Sequence, residues 1–137
     1  MTDGDTYFAT DTGVADDEAR FVEIDGISPI EIVPGLVFRP VLGERLLVNF
    51  VRFEPHTEAP MHTHEEEQVV VVLEGEIEFD VDGDVRTLGP GEVIHLPPHV
   101  PHAARTHDSN CYEMDIFAPP RAALVALMEA AAGSTEE

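Results

Sequence analysis

The chain contains no lysine. All seven of its basic residues are arginines, set against 28 aspartates and glutamates, for a formal net charge of −21 over 137 residues. A surface so poor in positive charge repels phosphate backbones and anionic lipid, which argues against nucleic acid and membrane as partners. Cysteine is almost absent too. Cys111 has no second cysteine to pair with, which fits a reducing compartment. No apolar run approaches the ~18 residues of a membrane-spanning helix. The opening residues Met1-Thr2-Asp3-Gly4-Asp5 are acidic and polar, unlike a signal or transit peptide, so the expected location is cytoplasmic.

What is present is a chain of one-domain size with an ordinary apolar fraction, 43%. Residues 1–20 are rich in Asp, Thr, Gly and Ala and read as an acidic flexible tail. From Phe21 to Ala118 the pattern is one of short β-like runs. Examples are Leu36–Val41, Leu46–Phe53, Gln68–Leu73, Glu76–Val81 and Cys111–Phe117. Glycine and proline turns separate them, and Asp82-Gly83 between alternating runs predicts a hairpin. Many short strands at close spacing predict an all-β antiparallel sandwich or barrel. Pro119-Pro120 then open a helix over residues 119–132, with Leu124, Leu127 and Met128 on one face. Gly133 stops it and residues 133–137 fray.

Two blocks carry chemistry. The first is His62-Thr63-His64-Glu65-Glu66-Glu67-Gln68, closed by Gly75. The second runs from Gly91 through Pro97 and His99 to His102. Residues two apart on a strand face the same side, so His62 and His64 point together. Three imidazoles and an amide oxygen, from His62, His64, His102 and Gln68, suit one divalent transition metal: Zn, Ni, Fe, Mn, Co or Cu. Three His and a neutral oxygen leave coordination positions open, as in a catalytic rather than a structural site. Glu67 is the alternative fourth ligand, and the Glu65–Glu67 run otherwise reads as a solvated turn. His56, His95, His99 and His107 are set aside as turn or surface residues.

These blocks resemble the two motifs of the cupin family. The first reads Gly, five residues, His-x-His, three or four residues, Glu or Gln, six residues, Gly. Here Gly75 fixes the register and places the amide ligand on Gln68. The second reads Gly, five residues, Pro-x-Gly, two residues, His, three residues, Asn, and Gly91, Pro97 and His102 match it. His56, His99 and Thr106 stand where the family has Gly, Gly and Asn. The resemblance covers roughly residues 30–118. It implies a double-stranded β-helix, a jelly-roll barrel with a short C-terminal α-helix, and a homodimer.

Cupins host many reactions, so the remaining pocket residues decide. Asp115, Phe117 and Arg121 supply a carboxylate, an aromatic wall and a guanidinium, with Arg121 read as one turn into the closing helix. This set suits a small anionic, sugar-like substrate. With Gln as a metal ligand, Asp-x-Phe-x-Pro-x-Arg resembles a cupin subgroup that opens 4,5-unsaturated uronate monomers to linear keto-uronates. The resemblance implies that Asp115 moves the proton, Arg121 clamps the substrate and Phe117 lines the pocket. An Fe-dependent dioxygenase and a non-catalytic sugar- or metal-binding cupin are the alternatives.

Lysine-depleted acidic surfaces resemble those of proteins from salt-accumulating halophiles. Like charges at this density repel one another in dilute buffer and are screened at high salt. The melting temperature is therefore expected to rise by several degrees between dilute buffer and molar KCl, followed by circular dichroism. An unchanged value would contradict the halophile reading.

Overall fold

The structure is a computed structural model and describes residues 3–134. Ten strands follow a short N-terminal helix α1 (Asp3–Tyr7) and a 3-10 turn at Ile24–Gly26. They are β1 (Ile30–Val33), β2 (Leu36–Leu42), β3 (Leu47–Phe53), β4 (Glu58–His62) and β5 (Glu67–Gly75). Then come β6 (Ile77–Val81), β7 (Asp84–Leu88), β8 (Val93–Leu96), β9 (His102–Arg105) and β10 (Cys111–Ala118). Helix α2 (Ala122–Ser134) ends the described chain. One sheet has the order β1-β2-β3-β10-β5-β8 and the other β4-β9-β6-β7, with every pairing antiparallel. This is the all-β jelly-roll barrel expected from the sequence. Among the described residues no helix is long and apolar enough to cross a membrane.

Strand alternation builds the interior. Every second residue of β3, β10 and β5 is buried: Leu47, Asn49, Val51 and Phe53; Cys111, Glu113, Asp115 and Phe117; Gln68, Val70 and Val72. Register then sets these residues in rows. Asn49, Asp115 and Val70 lie side by side, and Val51, Glu113 and Val72 form the next row. Ile77 and Phe79 from the facing sheet, and Leu96 from β8 beside β5, join the apolar part of the core. Each fully buried Val or Leu of this kind contributes roughly 1.5–3 kcal/mol. The interior rows are thus apolar at one end and polar where the histidines enter.

Several expectations need correction. Within the stretch read as an acidic tail, Asp3–Tyr7 form a short helix whose residues are all exposed. The sheet starts at Ile30 rather than Phe21, and the Arg20 side chain donates to the Leu42 carbonyl. The strand expected to carry both His62 and His64 is β4, which starts earlier, at Glu58, contains Pro60 and ends at His62. Pro60 is tolerated there because β4 lies at a sheet edge, where an absent N–H costs little. Helix α2 begins three residues later than expected and continues through Gly133 to Ser134, and residues 135–137 lie outside the described part. Its packed face is Leu124, Val125 and Met128, while Leu127 is 40% exposed.

The hairpin at Asp82-Gly83 is present, with φ of 50° and 93°, the two left-handed residues a tight β-hairpin requires. His56 and His99 also adopt positive φ, 56° and 70°. They hold the backbone shape of the glycines they replace. A left-handed L-residue costs roughly 1–2 kcal/mol, and glycine's extra unfolded-state freedom costs about 0.5–1 kcal/mol. His99→Gly is therefore expected to stabilise the protein by roughly 0.5–1 kcal/mol in urea unfolding. Gly75 differs: at φ 75° an added Cβ would lie 1.9 Å from the Asn110 carbonyl oxygen. Gly75→Ala should cost about 3 kcal/mol or more in the same assay.

Candidate metal centre

β4 ends at His62 and β9 begins at His102, and the two residues are cross-strand partners. Their ring centroids lie 4.4 Å apart. His64 reaches the same point from the loop beyond β4, not from the strand itself, with ring centroids 5.5 Å from His62 and 5.0 Å from His102. The His99 N–H donates to the His64 carbonyl at 2.8 Å, which ties this loop to the Pro97–Pro101 turn. One nitrogen of each of the three imidazoles falls within 4.8 Å of the others, so His62, His64 and His102 are positioned to bind a metal ion.

Hydrogen bonds identify which nitrogens those are. Nδ1 donates to the Pro60 carbonyl from His62, to Glu66 from His64 and to Val100 from His102, at 2.8, 2.9 and 2.9 Å. A carbonyl only accepts, so each Nδ1 carries the proton and each Nε2 keeps its lone pair. His102 Nε2 is buried without a protein partner. Gln68 Oε1 lies 3.0 Å from His64 Nε2. Two acceptors at that distance repel unless a cation shares them or the amide turns over to donate. The donor set thus fits a divalent transition ion.

Desolvation keeps His64 and His102 neutral. Burial first, then the neighbouring imidazoles and Arg121, push the His102 pKa down to about 4 against its Val100 hydrogen bond. Burial and then Arg121 lower that of His64. A neutral imidazole is the metal-binding form.

Beside this cluster opens a cavity of about 310 Å³ lined by His62, Gln68, His102, Asp115, Phe117 and Arg121 among others. Phe117 meets the His64 ring edge-on at 5.7 Å. The far wall is apolar, with Leu36, Phe38, Phe53 and Phe79. Arg121 does not lie one turn into the helix. It immediately precedes Ala122, and its carbonyl accepts from the Leu124 and Val125 N–H groups.

The acidic turn is not simply solvated. Glu66 is buried, its Oε2 accepts from the Ala122 N–H at 2.7 Å, and its Oε1 lies 3.8 Å from the Arg121 guanidinium. Burial works to raise its pKa, but the Ala122 N–H, its own N–H and Arg121 outweigh that and hold it below the usual carboxylate range. No periodic signal marked Glu66, because it sits in a loop. Glu67 turns outward and pairs with His95 at 2.6 Å, away from the cluster. His56 and His107 form exposed pairs with Asp108 and Glu78. Asn49 and Glu113 were also missed, although the two-residue period of Cys111-x-Glu113-x-Asp115-x-Phe117 places Glu113 on the cavity strand's inner face.

Removing one imidazole should weaken metal affinity at least ~10-fold. His62→Ala and His102→Ala are expected to lose stoichiometric metal, measured by elemental analysis after dialysis, while His95→Ala keeps it. Full occupancy in either of the first two variants would discard the centre.

Residues 49–116 match the family described as the cupin domain. The chain is similar in structure to an RmlC-like cupin from Shewanella frigidimarina, with a TM-score of 0.73 and 28% identity, covering 78% of this chain and 96% of that one. It is similar to KdgF from Halomonas sp. at a TM-score of 0.73 and 24% identity, over 78% and 99% of the two chains. Among curated proteins it is 44% identical over 50 residues to dimethylsulfoniopropionate lyase DddQ of Ruegeria pomeroyi, 36% of this chain. That alignment spans only 25% of the lyase's length. Sequence and fold agree, and residues 49–116 are a cupin domain within a barrel of the cupin fold.

Proposed function

We propose that this protein is a metal-dependent lyase or isomerase that opens 4,5-unsaturated uronate monomers to linear keto-uronates. The observation that carries this reading is one cavity that gathers His62, His102 and Gln68 with Asp115, Phe117 and Arg121. His62, His64 and His102 through Nε2, with the Gln68 amide oxygen, would hold one Zn, Ni, Fe, Mn, Co or Cu ion. When bound, the ion supplies Lewis-acid polarisation of a sugar oxygen.

The protein's own groups do the rest. Arg121, steadied by Glu66, offers its guanidinium fork to the substrate carboxylate. Phe117 gives the sugar ring a flat apolar wall. Asp115 Oδ1 is buried without a partner and takes the proton from the anomeric hydroxyl. As that O–H bond breaks, the bond from the anomeric carbon to the ring oxygen breaks too, and its electron pair stays on the ring oxygen. That oxygen sits on the C4=C5 double bond, so the product is an enolate. Return of the proton to C4 gives the keto acid and restores Asp115.

A second reading has its own support. The apolar far wall offers no partners to a ring of hydroxyls, and the 50-residue match is to a protein named as a dimethylsulfoniopropionate lyase. This favours elimination on a smaller carboxylate.

Metal-loaded protein is expected to remove the conjugated ultraviolet absorbance of unsaturated uronate monomer faster than spontaneous opening. Asp115→Asn should slow this at least ~100-fold. A wild-type rate at the spontaneous baseline, with dimethylsulfoniopropionate consumed instead, would put the second reading first.

A further inference from the structure

Asp115 has a buried neighbour that the mechanism above does not use. Glu113 lies two residues earlier on β10, on the same inner face, and is 2% exposed. The two carboxyls are within hydrogen-bonding reach of each other. Glu113 Oε1, Asp115 Oδ1 and Asn49 Oδ1 are all buried with no partner. Asp115 and Asn49 line the cavity and Glu113 does not. The register explains the difference: Glu113 is flanked by Val51 and Val72, whereas Asp115 is flanked by Asn49 and Val70. The pairing of β10 with β5 also shifts by one residue beside Glu113, a bulge that re-aims side chains.

Two ionised carboxylates cannot share so dry a space, because nothing there balances the second charge. Among the described residues, neither β3 nor β5 contributes an ionisable group at these registers. The third member of the β10 face is Cys111, whose thiol burial pushes up to about 12, so it too stays neutral. Across the cavity the charged or titratable groups are Glu58, His62, His102 and Arg121. Glu113, in the drier row, is the better place for a proton, and a protonated Glu113 donates to Asp115.

We propose that Glu113 is the positioning partner of Asp115, holding the pair's single proton and donating it in a hydrogen bond that keeps Asp115 ionised toward the cavity. Its role in turnover rests on the ring-opening reading; the held proton does not. Burial raises both carboxyl pKa values, that of Glu113 the further, and the Glu113 hydrogen bond opposes the rise at Asp115. Ring opening is proton-neutral, so the pair begins and ends each cycle with one proton. Asp115 accepts the substrate proton and returns it, and Glu113 never meets the substrate.

Infrared difference spectroscopy at neutral pH on the metal-loaded protein reads the proton directly. Wild type should show a protonated-carboxyl band that disappears in Glu113→Gln and survives in Asp115→Asn. No band in wild type, or a band unchanged in Glu113→Gln, would overturn the proposal. In turnover, Glu113→Gln keeps a donor and should stay within a few-fold of wild type. Glu113→Leu removes it, so the acid limb of kcat/KM should move up by about one pH unit, with KM little changed. An unmoved limb in a folded Glu113→Leu variant also overturns it. If Glu113→Leu does not fold, the infrared pair decides alone. Wild type at the spontaneous rate with the band present would remove the ring-opening reading and leave the held proton standing.

Discussion

Each of three histidines donates its Nδ1 proton to a carbonyl no more than two residues away, and that local bond decides the chemistry of the other ring nitrogen. A free imidazole exchanges its proton between two sites. Here the choice is made by backbone geometry before any ion arrives. Strand pairing then brings His62 and His102 together, and the Glu65–Glu66 turn brings His64 and Gln68 to them. The result is a set of converging lone pairs, with His102 Nε2 fully enclosed. Such a set is unfavourable by itself and favourable around a cation. The centre is therefore a consequence of ordinary strand and turn hydrogen bonds.

The same closed interior acts on acids and bases in opposite directions with one outcome. It lowers the pKa of His64 and His102 and raises those of Glu113 and Asp115. Each change favours the neutral form. In a chain with a net charge of −21 few acids are buried, and Glu66, whose pKa is lowered instead of raised, is matched by Arg121. Arg121 is the cationic side chain at the cavity, and Glu66 offsets it at 3.8 Å. The cavity thus holds a guanidinium in a chain whose charge is otherwise overwhelmingly negative.

Much of this was legible in the sequence because spacing in a barrel is nearly a coordinate. Gly75 and Gly91 fixed the registers of the two blocks, and the period of two put Asp115 and Phe117 on one face. The family's glycine positions at His56 and His99 could be read as departures. What could not be read is that both histidines keep the left-handed backbone, since that depends on the strands on either side. The bounds of β4 were not legible, because the cost of Pro60 inside a strand depends on lying at an edge. Glu113 is hidden because a glutamate reads as solvent-facing unless its strand alternation is followed through.

Glu66 shows why a loop residue can matter most where no pattern marks it. Three consecutive glutamates meet three environments: Glu65 faces solvent, Glu66 is buried, and Glu67 pairs outward with His95. Through Glu66, the loop that carries His64 is joined to the start of α2 by the Ala122 N–H and to the Arg121 side chain. A helix start has unpaired N–H groups and a positive dipole end, so a buried carboxylate there is stabilised twice. The same residue's carbonyl orients His64. The Arg121 end of the cavity and the His64 end are therefore joined through one side chain, at a position of the first block that the family pattern leaves unspecified.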